Sequence, residues 1–208
     1  LKGCDITQIY GIEEKTGNVY FQAASPTPAD RQVFVSHANG KIDCLTPQNG
    51  TSSAQFASSY QYFFKTWSNA DTPFVFSLCN SQGKSIKTME DNKELKSRLV
   101  SYPVTEKEFF TFLTSEGVKL QGWMIKPKDF NPSRKYPVIM YQYGGPGSQQ
   151  VVNSWSIGSM GQGGMFDYYL AENGFIVVCV DGRGTGYRGN EFEKCTYLHI
   201  GELESKDQ

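Results

Sequence analysis

Short strands bounded by turns recur along the first ninety or so residues of this 208-residue chain. Candidate strands cover residues 8–12, 19–23, 32–36 and 41–45, with turn sequences at Lys15-Thr16-Gly17-Asn18 and Asn39-Gly40. Because turn-bounded strands at this spacing are typical of all-β architectures, the first part of the chain is predicted to form antiparallel sheets.

The strand pattern repeats with an offset of about 43 residues, which is typical of one four-stranded propeller blade. The matching positions are Tyr20-Phe21 with Phe63-Phe64, Val33 and Val35 with Phe76 and Leu78, and Gly40-Lys41 with Gly83-Lys84. One blade cannot bury both of its faces, so two blades require neighbours. Residues 1–92 are therefore predicted to be the last two blades of a β-propeller, the alternative being two unrelated meanders.

A change of composition marks the second part of the chain, predicted to span residues 93–208. The charged run at 90–99 indicates a short amphipathic helix that serves as a hinge or linker. After it, alternating residues at 108–112 and 120–125 flank Ser115-Glu116-Gly117. This pattern predicts a β-hairpin at the edge of a sheet.

A strand, a helix and an apolar strand then follow one another. The strand covers 138–142, and the helix covers 165–173 with Phe166, Tyr169 and Leu170 on one face. The last strand, 175–180, is apolar on both faces and is therefore predicted to be a buried parallel strand. We expect a doubly wound α/β sheet, in which pairing of 175–180 comes from chain outside this sequence or from another copy.

Composition excludes several classes of function. With 20 Lys and Arg against 21 Asp and Glu, the net charge is -1, and no basic stripe indicates a nucleic-acid partner. The longest apolar run, 175–180, is far shorter than the roughly 20 residues of a membrane-spanning helix. No membrane segment is expected in this sequence.

The five cysteines form neither a Cys-x-x-Cys pair nor a cluster with histidine, so no metal site or other cofactor is predicted. Cys179 lies within an apolar strand and is expected to be a small buried side chain. A disulfide between Cys44 and Cys79 is an open alternative in an oxidising compartment.

The strand at 138–142 runs directly into Tyr143-Gly144-Gly145-Pro146-Gly147. Glycine permits positive φ and close approach of the backbone, so amides or a phenol at such a turn can point at a developing oxyanion. With the sequence from Val180-Asp181-Gly182-Arg183 to Gly189, this turn resembles the prolyl oligopeptidase family of serine peptidases, and within it the dipeptidyl peptidase IV-like group. The segments Lys135-Tyr136-Pro137 and 201–208 also resemble that group.

The resemblance implies the C-terminal blades of a propeller followed by the N-terminal half of an α/β-hydrolase, truncated before the nucleophile elbow. It implies hydrolysis through an acyl-enzyme, releasing N-terminal dipeptides with Pro or Ala at the second position. Tyr143 matches the family's oxyanion tyrosine, and Gly144, Gly145 and Pro146 form its supporting loop. Asp181 and Arg183 are expected to hold that loop as an ion pair or amide-capping network, because the triad acid of this fold follows the serine.

No Gly-x-Ser-x-Gly elbow occurs in the 208 residues, so the chain is expected to be an inactive internal fragment. Ile157-Gly158-Ser159-Met160-Gly161 lacks the required glycine and strand. His37 and His199 are interpreted as structural or surface residues, and Glu13-Glu14 as solvated turn charges.

Two rival hypotheses remain open. One is a non-catalytic binding protein on the same scaffold; the other is a tripeptidyl, acylaminoacyl or oligopeptidase activity. The expected partner is a peptide with a penultimate Pro or Ala, and the full-length parent is expected to be a homodimer. An extracytoplasmic location, periplasmic or secreted, is expected.

Overall fold

A computed structural model describes residues 3–102, 105–155, 158 and 164–208. The chain divides into two compact units, which are described separately. The first unit comprises Leu1–Lys93 together with Asn153–Trp155, and the second comprises Glu94–Val152 and Ser156–Gln208.

The first unit contains two four-stranded antiparallel sheets, each with its strands in sequence order. The first sheet is formed by β1 (Ile6–Glu13), β2 (Asn18–Ala23), β3 (Gln32–Ser36) and β4 (Ile42–Cys44). The second is formed by β5 (Thr51–Phe56), β6 (Tyr62–Asn69), β7 (Thr72–Asn80) and β8 (Ser85–Glu90). The sequence-based prediction of short antiparallel strands is confirmed, and each sheet has the up-and-down order of a propeller blade.

A shared apolar cluster packs between the two sheets of the first unit. Its buried members come from both sheets and from the segment after β4: Tyr20, Val33, Val35, Leu45, Phe63 and Cys79. One pair of matched positions in the sequence repeat, Tyr20 and Phe63, is buried in both sheets. Other matched positions differ: Phe21 is buried whereas Phe64 is half exposed.

Residues Asn153–Trp155 pack among the loops of the first unit. The Asn153 backbone donates to Ala29 O at 2.8 Å, and its side-chain amide donates to the buried Asp30 Oδ1 at 2.9 Å. The Asn153 Oδ1 accepts from the Ala70 backbone at 3.0 Å, and the Asn153 carbonyl accepts from Thr51 Oγ1 at 3.0 Å. One asparagine thus bonds polar groups of two loops and of the first residue of β5.

The second unit contains one mixed sheet and short helices. Its elements are α1 (Lys93–Leu99, whose first residue belongs to the first unit), β9 (Glu108–Leu113), β10 (Lys119–Ile125), β11 (Val138–Tyr141), α2 (Met165–Glu172), β12 (Ile176–Asp181), α3 (Asn190–Lys194) and α4 (Glu202–Asp207). The strand order is β11-β12-β10-β9. The predicted hairpin is present as β9 and β10, which pair antiparallel.

Strand β12 occupies the middle of this sheet. It pairs in parallel with β11, from Val138 opposite Ile176 to Tyr141 opposite Cys179, and antiparallel with β10. The predicted strand-helix-strand unit is therefore confirmed. The expectation that 175–180 is paired from outside the chain is wrong, because β10 and β11 pair with both of its sides.

Helix α2 presents a different face to the sheet from the one predicted. Tyr168 and Ala171, three residues apart and hence on one face, join the core with Val177, Cys179 and Trp123. Leu170 packs beside this core, but Phe166 and Tyr169 are 48% and 62% exposed. The choice of face follows from contact with β12 and not from the count of apolar residues.

All five cysteines are free, so the disulfide alternative for Cys44 and Cys79 is wrong. Cys179 is fully buried as predicted, and its burial strongly raises the pKa of its thiol. None of the helices in the described ranges is long and apolar enough to cross a membrane.

We predict that Asn153→Ala destabilises the first unit. The substitution removes both side-chain hydrogen bonds and deprives the buried Asp30 carboxylate of one donor. The expected loss in the free energy of unfolding is about 2–3 kcal/mol, measured by urea denaturation. Asn39→Ala is the control: it lies in an exposed turn, where its side chain accepts from the Lys41 amide, and the change should cost less than about 1 kcal/mol. Equal losses in the two variants would contradict the assignment.

Candidate functional site

Tyr143 lies two residues beyond the end of the parallel strand β11. Its side chain is 59% exposed, and within the described residues its hydroxyl has no hydrogen-bond partner. The ring lies near Gly145, where an added Cβ would come within 3.7 Å of it. The phenol is therefore available to a molecule approaching from solvent.

The turn that follows Tyr143 is closed by its own hydrogen bonds. The Ser148 amide donates to Gly145 O at 3.0 Å, with Pro146 and Gly147 in the central positions. Gly147 has φ of +70°, so the four residues form a type II turn, which requires positive φ at its third residue. The Ser148 hydroxyl donates to Gly145 O and, at 3.3 Å, to Tyr143 O. Sequence reasoning had not singled out Ser148.

A second glycine-rich loop, residues 182–189, lies against this turn. The Gly147 amide donates to Gly184 O at 3.2 Å, and the Gly186 amide donates to Ser148 O at 2.9 Å. A Cβ at Gly186 would approach Gly147 O to 3.0 Å, which is closer than most Cβ contacts. The two glycine blocks that carry the family resemblance are thus hydrogen-bonded to each other.

Asp181, the last residue of β12, holds the backbone downstream of the turn. Its carboxylate accepts from the Gln150 amide at 2.9 Å and from the Val151 amide at 2.8 Å, and the side chain is almost fully buried. Burial raises the pKa of Asp181 to about 6, opposed by these amides and by Arg188. The carboxylate caps a loop, which is one of the two roles the sequence favoured.

Arg183 forms the centre of an ion-pair network. Its guanidinium meets Asp207 through Nε at 3.0 Å and Nη2 at 2.7 Å, and its Nη1 lies 2.6 Å from Glu116 Oε2. The Asp207 side chain is fully buried, and it also accepts from the Arg183 amide at 2.7 Å. Hydrogen bonding to Asp207 raises the pKa of Arg183, and Arg183 in turn lowers the pKa of Glu116.

Several supporting residues escaped sequence analysis. Thr185 is fully buried and donates to Gly182 O at 2.7 Å, and Glu204 accepts from the Gly201 amide at 2.9 Å. Arg188 donates to Lys119 O at 2.6 Å and lies over the Phe192 ring at 3.8 Å. The bonds of Thr185 and Glu204 each span three residues, and Glu204 reaches back to the residue before α4 as in a capping box, so these two have a local signal. Only the tertiary fold brings Arg188 to Lys119.

The residues to which no catalytic role was assigned differ in their surroundings. His199 is exposed and lies 3.6 Å from Glu202. Of the segment 157–161, only Gly158 falls within the described residues. Glu14 is exposed as expected, but Glu13 is partly buried and accepts from Thr16 Oγ1 at 2.6 Å. Glu13 thus keeps part of its exposure and is hydrogen-bonded to donors of its own turn.

Two family descriptions match different parts of the chain. Residues 3–74 match the dipeptidyl peptidase IV N-terminal region, and residues 166–208 match the prolyl oligopeptidase family. A probable dipeptidyl-aminopeptidase B from Penicillium rubens is 34% identical over 95% of this chain and 22% of its own length. A probable dipeptidyl peptidase 4 from Emericella nidulans is 29% identical over 98% of this chain and 26% of its own length.

Solved structures agree with these relatives. The crystal structure of dipeptidyl peptidase 4 from Porphyromonas gingivalis has a TM-score of 0.93 and 42% identity, covering all of this chain and 29% of that one. A putative dipeptidyl aminopeptidase IV from Bacteroides ovatus has a TM-score of 0.83 and 29% identity over the same shares.

The two matched descriptions define the class, a dipeptidyl peptidase IV-type N-terminal region followed by a region of the prolyl oligopeptidase family. The chain belongs to the dipeptidyl peptidase IV-like group of the prolyl oligopeptidase family. It spans between about a fifth and a third of the length of the relatives it matches.

The raised pKa of Asp181 makes its contribution to stability depend on pH. The pKa of this carboxyl is about 3.8, its ordinary value, in the unfolded chain and about 6 in the folded protein. The folded state therefore holds the extra proton in that window, and stability falls as the pH rises through it, by at most about 3 kcal/mol. We predict that the unfolding free energy of the wild type, relative to Asp181→Asn, decreases by about 1–3 kcal/mol between about pH 4 and pH 6.5.

Urea denaturation across this pH range measures the difference. The control is Asp129→Asn, because the Asp129 side chain is 81% exposed and meets Arg134 only at 4.0 Å. The difference in unfolding free energy between Asp129→Asn and the wild type should not change with pH. A wild-type advantage over Asp181→Asn that grows with pH would contradict the prediction.

The Arg183 network generates a separate prediction. Arg183→Met leaves the buried Asp207 carboxylate without its counter-ion and should lower the free energy of unfolding by about 3–5 kcal/mol. The double variant Arg183→Met with Asp207→Asn should recover part of the lost stability, since a neutral amide tolerates burial better and can still accept from the backbone amide of residue 183. Denaturant unfolding of the wild type, the single variant and the double variant measures these differences.

Arg98→Met, which breaks the exposed pair with Glu94, should cost less than about 1 kcal/mol; a similar cost for Arg183→Met would refute the network's importance.

Proposed function

We propose that this chain contributes the oxyanion arm of a dipeptidyl peptidase IV-like serine exopeptidase. The proposed reaction releases N-terminal dipeptides with Pro or Ala at the second position through an acyl-enzyme. The observation that carries the proposal is the exposed Tyr143 hydroxyl at the end of β11, on a turn fixed by hydrogen bonds. A phenol held in this way can donate a hydrogen bond to a tetrahedral oxyanion without reorganising.

The remaining functional groups are not among the 208 residues. A peptidase of this class requires a nucleophilic serine on a Gly-x-Ser-x-Gly elbow with an acid and a histidine after it, and this motif is absent from the printed sequence. We therefore propose that the chain acts within a longer polypeptide and is inactive alone. The architecture proposed for it is two propeller blades followed by the first strands of an α/β-hydrolase.

Each supporting residue has a proposed part in this reaction. Gly144, Gly145 and Pro146 let the backbone turn sharply beside the substrate carbonyl. Asp181 and Arg183 fix the position of the loop without touching substrate, since both carboxylate and guanidinium are occupied by protein groups. A homodimeric parent in an extracytoplasmic compartment is part of the same proposal, and it is supported by family membership alone.

Tyr143→Phe in the full-length protein is the direct test. Loss of the hydroxyl removes one oxyanion donor, so kcat for a Gly-Pro chromogenic amide should fall roughly 100-fold to 1,000-fold with little change in KM. Steady-state kinetics measures both constants. Tyr169→Phe is the matched control, because Tyr169 is 62% exposed on α2 and should retain wild-type rates. The 208-residue chain alone serves as the inactive reference.

Three outcomes would change the proposal. A Tyr143→Phe rate within threefold of wild type would remove Tyr143 from the oxyanion site. Cleavage of tripeptidyl or acylated substrates in place of Gly-Pro amides would assign a related peptidase specificity. Absence of hydrolysis by the full-length wild type would favour the non-catalytic binding protein.

A further inference from the structure

The first unit contains a cavity of about 790 Å3 among the hairpin turns of its two sheets. Its lining includes Glu13, His37, Asp43, Tyr60, Tyr62 and Asn80. The volume lies within the range of roughly 300–1,000 Å3 that is typical of small-ligand sites. We call it the Glu13 cavity.

A continuous chain of polar side chains forms one side of the Glu13 cavity. The Asn18 amide donates to Glu13 Oε2 at 3.3 Å, which directs Asn18 Oδ1 toward His37 Nδ1 at 3.2 Å. His37 Nε2 then lies 3.0 Å from Asp43 Oδ2, and Asp43 also pairs with Lys41 at 3.0 Å. Such a connected network fixes the side chains before any ligand arrives.

The two carboxylates of the cavity differ in their compensation. Asp43 meets Lys41 and His37, and hydrogen bonding to Lys41 and then to His37 lowers the pKa of Asp43. Glu13 Oε2 accepts from three neutral donors, Thr16, Asn18 and Tyr20. No basic side chain in the described part of the chain lies within ion-pair distance of Glu13. One partly buried negative charge therefore lacks a counter-ion.

Aromatic rings complete the lining. Tyr60 stacks on Tyr20 with ring centroids 4.7 Å apart, and it adopts a positive φ of 54°, which is uncommon for a residue other than glycine. Gly11 makes room for its hydroxyl, because a Cβ there would lie 2.1 Å from the oxygen. Tyr62, which is half exposed, presents a second ring beside the cavity. Aromatic faces near a carboxylate favour cations.

We infer that the Glu13 cavity binds an organic cation, a ligand whose primary ammonium or guanidinium group pairs with Glu13. The uncompensated carboxylate supplies the charge, and the Tyr60 and Tyr62 rings supply cation-π contacts to the charged group and apolar contacts to the ligand's carbon chain. A compact metal ion does not fit this set, because the described residues hold no group of three or more metal-ligating side chains.

Calorimetric titration of the protein with Nα-acetyl-L-argininamide tests the inference, with Nα-acetyl-L-citrullinamide as the neutral isostere; they are called argininamide and citrullinamide below. We expect saturable binding of argininamide and at least tenfold weaker binding of citrullinamide. Glu13→Gln keeps the shape and the acceptor for Asn18 but removes the charge, and it should weaken argininamide binding about tenfold. Glu14→Gln, the adjacent exposed residue with the same charge change, is the control and should stay within twofold.

Two further probes distinguish the source of the cation. Tighter binding of a blocked Ala-Arg-Ala peptide than of agmatine would assign the site to a peptide side chain, and the reverse would assign it to a free amine. The inference is overturned if citrullinamide binds as well as argininamide, if neither binds saturably, or if Glu13→Gln and Glu14→Gln have equal effects. Circular dichroism of each variant establishes that a lost signal does not reflect unfolding.

Discussion

Strand β12 (Ile176–Asp181) is the constraint on which the second unit depends. Its backbone is hydrogen-bonded on both sides, so its position is set by β10 and β11 together. At the end of β12, the Asp181 carboxylate fixes the neighbouring segment, because it accepts hydrogen bonds from the Gln150 and Val151 amides. In the loop after β12, Gly184 and Gly186 form two backbone hydrogen bonds with the turn that follows Tyr143. The position of the strand therefore determines the position of the candidate site.

The burial of Asp181 and Asp207 shows how this order is stabilised. A buried carboxylate is costly unless donors surround it, and both residues have donors: amides for Asp181, and Arg183 with its own amide for Asp207. Removing the donors would be more harmful than removing the carboxylates, because an unpaired buried charge carries the full desolvation penalty. These loops are consequently held by polar groups in places that an apolar core does not reach.

Sequence reasoning succeeded where a local signal exists. Strand alternation and turn residues located β3 and the β9–β10 hairpin, and apolar length located β12. It failed where tertiary contacts decide. The inward face of α2 is chosen by contact with β12, so Tyr168 is buried while Tyr169 is exposed. The different surroundings of Glu13 and Glu14 have a local origin, since Thr16 and Asn18, the donors to Glu13, belong to the same β1–β2 hairpin.

The candidate site also contains residues that a local pattern predicts and residues that only the tertiary fold brings together. Tyr143 and its turn were predicted from a local pattern, a strand that leads into consecutive glycines. Asp207 and Glu116, which hold Arg183, lie 24 and 67 residues away from it in the chain. Their pairing depends on the fold bringing the β9–β10 turn and α4 to the same loop, and no spacing rule predicts it.

Glycine in these loops serves rigidity and not flexibility. Gly184 combines a φ of +92° with a neighbour that leaves no space, since a Cβ there would lie 2.7 Å from Thr196 Oγ1. Gly186 lacks positive φ but must approach Gly147 O closely. Gly186 leaves out a side chain so that backbone can meet backbone, and Gly184 leaves one out to make room for the Thr196 side chain. The result is a turn held by amide hydrogen bonds. An oxyanion donor is effective only when its position is fixed before the charge develops, so the close packing of these glycines is what would make the exposed Tyr143 phenol useful.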